Sequence, residues 1–154
     1  MRACCSRAPL QPPPLRAQVL GGPDCTGANS YFARKFCDIG SAGPHTHVEV
    51  EWTFVAIDSW DRGDTYQVLI DHVQVFSGGG PKSPLSYETR SAAKFKGETH
   101  LCGVSGRTDM RETTKVIIPH TSDCLHFTLS GKTNSGSYDE SWGLQKVTIT
   151  ALHM

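Results

Sequence analysis

The stretch HVEVEWTFVAI, residues 47–57, sets Val48, Val50, Trp52, Phe54 and Ala56 against His47, Glu49, Glu51, Thr53, Val55 and Ile57. Successive side chains of an extended chain point to opposite faces. Apolar residues alternating with Glu and Thr are therefore the period-two signature of a half-buried strand. Working outward, residues 58–64 form a polar turn containing Gly63, and strands follow at 65–70 and 73–76, joined by Asp71-His72 as in a hairpin. Upstream, an aromatic cluster of Tyr31, Phe32 and Phe36 leads into a turn at Gly40. Downstream, Gly78-Gly79-Gly80-Pro81 and Ser83-Pro84 forbid regular structure, and shorter strands are expected at 92–95, 115–118, 125–130 and 144–152.

No helical period persists beyond two turns, and no segment repeats. Many short strands with turn signals between them predict an all-β fold, an antiparallel β-sandwich of jelly-roll type. Residues 1–24 read as a disordered Pro-rich tail, because Pro9, Pro12, Pro13 and Pro14 block helix and ladder alike. The sandwich domain is expected over 25–154.

The chain has 154 residues, enough for one domain with its own core. Fifteen basic and fifteen acidic residues cancel, so no net field draws it to nucleic acid or to an anionic membrane. No apolar run reaches the length of a membrane-spanning helix. Six cysteines (Cys4, Cys5, Cys25, Cys37, Cys102 and Cys124) lack paired zinc-site spacing and point to disulfides in an oxidising, extracellular setting. The opening residues carry no apolar segment of the kind a secretory signal needs. An extracellular chain would then be part of a longer surface protein or have its signal elsewhere; otherwise the thiols stay reduced. The expected pairs are Cys102–Cys124 and Cys25–Cys37. Cys4 and Cys5 are left over, either free, palmitoylated or intermolecular.

Two acidic tryptophan motifs stand out, Ile57-Asp58-Ser59-Trp60-Asp61 and Asp139-Glu140-Ser141-Trp142-Gly143. Asp58, Asp61 and Asp64 fall three residues apart in a loop after a strand, and Asp139 and Glu140 precede the last strand. Hard oxygen ligands gathered on loops suit Ca²⁺. The same carboxylates suit turn bracing through backbone N–H groups. Trp60 and Trp142 read as a structural clasp between the two loops, with Ser59 and Ser141, in preference to sugar platforms.

The run from His45 through Asp61, HTHVEVEWTFVAIDSWD, resembles a pattern in large surface and secreted proteins of ciliates, oomycetes and algae. There an "iDSWD" strand is followed by a "v-vD-g-v-v" hairpin, a "CG" pair and a terminal "DESWGI" strand. Residues 66–75 including Asp71, Cys102-Gly103, and 139–149 stand in the corresponding places, so the resemblance covers roughly 31–152. It implies an extracellular β-sandwich module of unassigned ligand. The chain departs from it in having Arg62-Gly63-Asp64 where Gly-Glu is favoured; Asp64 would have to replace that Glu with a shorter reach.

Arg62-Gly63-Asp64 is also an integrin-type tripeptide, of low information in three common residues. His45 and His47, with Glu51, resemble a cupin metal motif, but the glycine expected after the Glu is absent and no second motif carries the third His. Asp61 and Glu140 are the only pair to consider for glycosidase chemistry. No nucleophile elbow or phosphate-binding loop is present. The expected function is a non-catalytic recognition or adhesion module, calcium-assisted and directed at a glycan or a surface protein. A purely structural surface-layer or filament module is the alternative, and a carbohydrate-active or cupin-like enzyme a third.

Overall fold

In a computed structural model of the chain, the structure describes residues 19–58, 60, 64–79, 103, 107 and 109–154. Eight strands run through them: β1 (Leu20–Gly21), β2 (Tyr31–Phe36), β3 (His47–Asp58), β4 (Thr65–Ile70), β5 (Val73–Gly79), β6 (Met110–Pro119), β7 (Leu125–Lys132) and β8 (Glu140–Leu152). They form two antiparallel sheets, ordered β1-β8-β3-β6 and β2-β7-β4-β5. First pairs with last, second with second-last, and so inward to the β4–β5 hairpin, which is the nested arrangement of a jelly roll. No helix among the described residues is long and apolar enough to cross a membrane.

β3 lies at the centre of its sheet. Val48, Val50, Trp52, Phe54 and Ala56 all enter the core, as alternation requires, and meet Tyr66, Val68 and Ile70 of β4 and Leu125, Phe127 and Leu129 of β7. The opposite face is mixed. Glu49 and Glu51 are partly solvated and pair with Lys115 (3.0 Å) and Lys146 (3.3 Å), whereas Val55 and Ile57 are buried in a second cluster with Val19.

That second cluster moves the domain boundary. Leu20 and Gly21 add to the edge of β8 opposite Leu144 and Gly143, and Val19 packs where a Cβ on Gly143 would sit. Residues 19–24 thus belong to the sandwich, not to the tail; a two-residue strand is too short to show any period. Residues 1–18 and the strand expected at 92–95 lie outside the described residues. β2 also exceeds expectation: as an edge strand its YFARKF is mostly exposed, so no alternation reveals it.

The expected cysteine pairs are corrected. Cys37 is joined to Cys124, with Cα atoms 4.0 Å apart, so neither Cys102–Cys124 nor Cys25–Cys37 forms. The reason is register: Phe36 faces Leu125 across β2 and β7, and Cys37 and Cys124 are the next pair outward. Nearness in sequence is overridden by strand pairing. Cys25 is itself disulfide-bonded. Cys4, Cys5 and Cys102 lie outside the described residues.

Candidate functional site

The two tryptophan motifs meet because β3 ends where β8 begins. Ile57 faces Ser141 and Asp58 faces Glu140 across the antiparallel ladder. The Trp60 indole donates to the Ser141 carbonyl at 2.6 Å, and the Trp142 indole donates to the Gly27 carbonyl at 3.2 Å. Phe54 lies among them, its ring 5.2 Å from Trp60, 6.0 Å from Trp142 and stacked 3.8 Å from Tyr66. Both tryptophans are buried, Trp142 completely. A buried indole whose N–H is bonded to backbone offers no face to a sugar.

The carboxylates are held by the chain. Asp64 is fully buried and accepts the Asn134 N–H at 3.1 Å; Glu140, 3% exposed, accepts the Ser135 N–H at 2.9 Å. Asp58 closes β3 in a left-handed conformation (φ 67°), and its N–H donates to Asp109 Oδ1 at 3.0 Å. Gly103 (φ 77°) lies against the Asp58 carboxylate so closely that a Cβ there would overlap it. Asp139 instead faces water and pairs with Arg107 at 2.6 Å. Ser59, Asp61, Arg62 and Gly63 lie outside the described residues, as does any Asp61–Glu140 pairing. Among the described residues no three His, Cys, Asp or Glu side chains are grouped to hold a metal ion.

The described histidines do not assemble a cupin-like centre. His45 is buried and its Nε2 meets His120 Nδ1 at 3.0 Å, while His47 bonds to Thr46 at 3.0 Å and Glu51 reaches Lys146. His120 Nε2 lies 3.5 Å from Asp71, which also accepts the His126 N–H at 2.8 Å. This polar joint ties β3 and β6 to the β4–β5 turn. His120 carries no sequence signal; only its position after β6 places it there.

Tyr66 donates to Glu112 at 2.7 Å from within the core. Burial, then the Glu112 charge, push its phenol well above the ordinary range. A raised native pKa stabilises the fold below the unfolded phenol's value of about 10 and is lost as pH climbs beyond it, because the unfolded chain ionises first. Tyr66→Phe should lower stability by about 1 kcal/mol at neutral pH through the lost hydrogen bond. The deficit should shrink at alkaline pH, where Phe has no proton to lose. Urea midpoints at neutral pH and above the phenol range check this; a constant deficit would refute it.

A second polar feature lies on the outward face of the β1-β8-β3-β6 sheet. Thr53, Arg111, Thr113, Gln145 and Lys146 line an open depression of about 580 Å³. Sequence reading assigned no role to any of these except Thr53, as a strand residue.

No family profile matches the sequence, and no curated protein does. Solved structures are similar to it in part. Dimeric latent PorU from Porphyromonas gingivalis aligns over 86% of this chain at 12% identity and TM-score 0.48, and the chain spans 12% of the PorU chain. The C-terminal domain of EclA, described as a sugar-binding protein, aligns over 97% of this chain and 89% of its own length, at 6% identity and TM-score 0.55. At 6% identity the likeness to the EclA domain is one of fold.

Proposed function

We propose that the chain is a non-catalytic recognition module that works outside the cell and binds a glycan. The observation that carries this is where polar chemistry meets water. Trp60, Trp142 and Glu140 of the tryptophan motifs are turned inward and bonded to backbone, whereas a depression on a sheet face is open and polar, lined by hydroxyl, amide and cationic groups. Such groups bind and orient a hydroxylated ligand without supplying paired carboxylates or a nucleophile. The sugar-binding description of the EclA domain supports the ligand class, and the Cys37–Cys124 disulfide fits an oxidising compartment.

In this proposal the acidic motifs brace the end of the sandwich. Asp58, Asp64, Asp139 and Glu140 already have partners within the chain, so bracing needs no ion. The melting temperature is therefore expected to be the same in calcium and in chelator. A rise of several degrees with calcium, abolished by Asp64→Asn, would instead make this end a calcium site. A glycan array probed with the folded chain tests the main proposal: selective binding supports it, and silence across the array favours a structural surface-layer module.

A further inference from the structure

His45 and His120 are buried, and His45 Nε2 meets His120 Nδ1 at 3.0 Å. Their ring planes differ by 15° and their centres are 5.3 Å apart, close to the limit that nitrogens at 3.0 Å permit. The rings therefore meet edge to edge, nitrogen to nitrogen, and are not stacked face to face. Such a contact needs one N–H and one bare nitrogen. A neutral imidazole has one of each, whereas a charged imidazole has two N–H groups and no acceptor. The far nitrogen of His120, Nε2, is shielded from water, makes no hydrogen bond and lies 3.5 Å from Asp71 Oδ2. One added proton therefore fits: a charged His120 donates to His45 and sets its other N–H against the Asp71 carboxylate. A second proton does not fit, because both facing nitrogens would carry hydrogen and two buried cations would touch.

The contact joins the two sheets at one end. His45 precedes β3 and His120 follows β6 of one sheet, while Asp71 lies in the turn between β4 and β5 of the other. The His120 N–H donates to the Thr46 carbonyl at 3.0 Å. Asp71 is bonded twice to His126: its N–H donates to the His126 carbonyl at 2.9 Å, and its carboxylate accepts the His126 N–H at 2.8 Å. Asp71 and His72 both hold left-handed backbone, at φ 48° and 68°, a conformation that persists only where the surroundings fix it. Among the described residues, the titratable groups on the elements that meet there are few. They are Asp71, the His72 and His126 rings 5.6 Å apart beside it, His47 bonded to Thr46, and His153 just after β8.

We propose that this contact is an acid-sensitive latch between the sheets, closed while the pair holds at most one added proton. When both rings are charged it opens and releases the β4–β5 turn. An unfolded histidine takes up its proton at about pH 6.5, so below that value the open joint binds one proton more than the closed one. The closed joint therefore loses stability as pH falls. Opening should be about tenfold more favourable at about pH 5.5 than at about pH 7.5, still above the range where unfolded carboxylates titrate. Hydrogen exchange at the Asp71 and His126 amides tests this against His45→Gln, whose side chain can donate or accept at the same place but gains no proton. Comparison at a single pH cancels the intrinsic pH dependence of exchange. Parent and variant should match at the higher pH, and the parent should exchange about tenfold faster at the lower. His47, His72, His126 and His153 are intact in the variant, so an acid response arising from them would persist in it. Asp71→Asn keeps an oxygen for the His126 N–H and removes the charge opposite His120. Its urea midpoint should fall more steeply between the two pH values than the parent's, which decides the matter even if His45→Gln does not fold. Equal exchange in parent and His45→Gln at the lower pH, or the same acid response of the midpoint in parent and Asp71→Asn, would overturn the latch.

Discussion

Trp142→Ala should remove about 3–5 kcal/mol of stability, a large part of the 5–15 kcal/mol typical of a domain. Trp142 is completely buried, with Phe32 edge-on at 5.0 Å and Phe54 stacked at 6.0 Å. Its indole lies so close to Gly131 that a Cβ there would overlap it, so backbone as well as side chains is shaped around the ring. Truncation leaves a cavity that rigid ladders on both sides cannot close. It also takes the donor from the Gly27 carbonyl, loosening the loop that leads from β1 into β2. Trp142→Phe separates the two effects, since it keeps most of the packing and loses only the hydrogen bond, at about 1–3 kcal/mol. Urea unfolding followed by near-ultraviolet circular dichroism reads both. An alanine variant melting within a degree or two of the parent would show that the tryptophan is peripheral, contrary to its placement in the core.

The core was legible in residues 47–57 because a central strand with one face inward must alternate, and its five predicted inward residues are all buried. The same logic fails at edges. Tyr31–Phe36 pairs only with β7 and shows mostly exposed side chains, while Leu20–Gly21 is too short to show any period. The two tryptophan motifs read as halves of one clasp and they do meet, but the means, β8 returning to lie beside β3, is topology that no residue marks. The depression around Gln145 was illegible for another reason. It is created by a one-residue register shift between Thr53 and Phe54, and no residue type marks that event. Composition shows which residues are polar; the bulge determines which of them share a surface.

Topology also governs the second large effect, that of Cys37→Ser combined with Cys124→Ser. The bond spans 87 residues, and closing a loop of this length stabilises by between ~4 and ~5 kcal/mol in the chain-entropy account. Native strain and residual structure in the unfolded chain lower the measured figure, so a loss of about 2–4 kcal/mol is expected. Cys37 is exposed and Cys124 only partly buried, so serine fits either place and the loss reports the cross-link instead of a burial penalty. The damage should be local as well as global. β2 is an edge strand, and the bond lies just beyond its last rung, Phe36 against Leu125. Hydrogen exchange should therefore quicken at the Phe36 end of β2 while β3, held between β6 and β8, keeps its protection. Reductant should lower the stability of the parent further than the double substitution does, because Cys25 is disulfide-bonded as well. An unchanged urea midpoint in the double variant, or an unreduced digest joining Cys37 to Cys25, would show that the strand register does not set the pairing and would restore the sequential one.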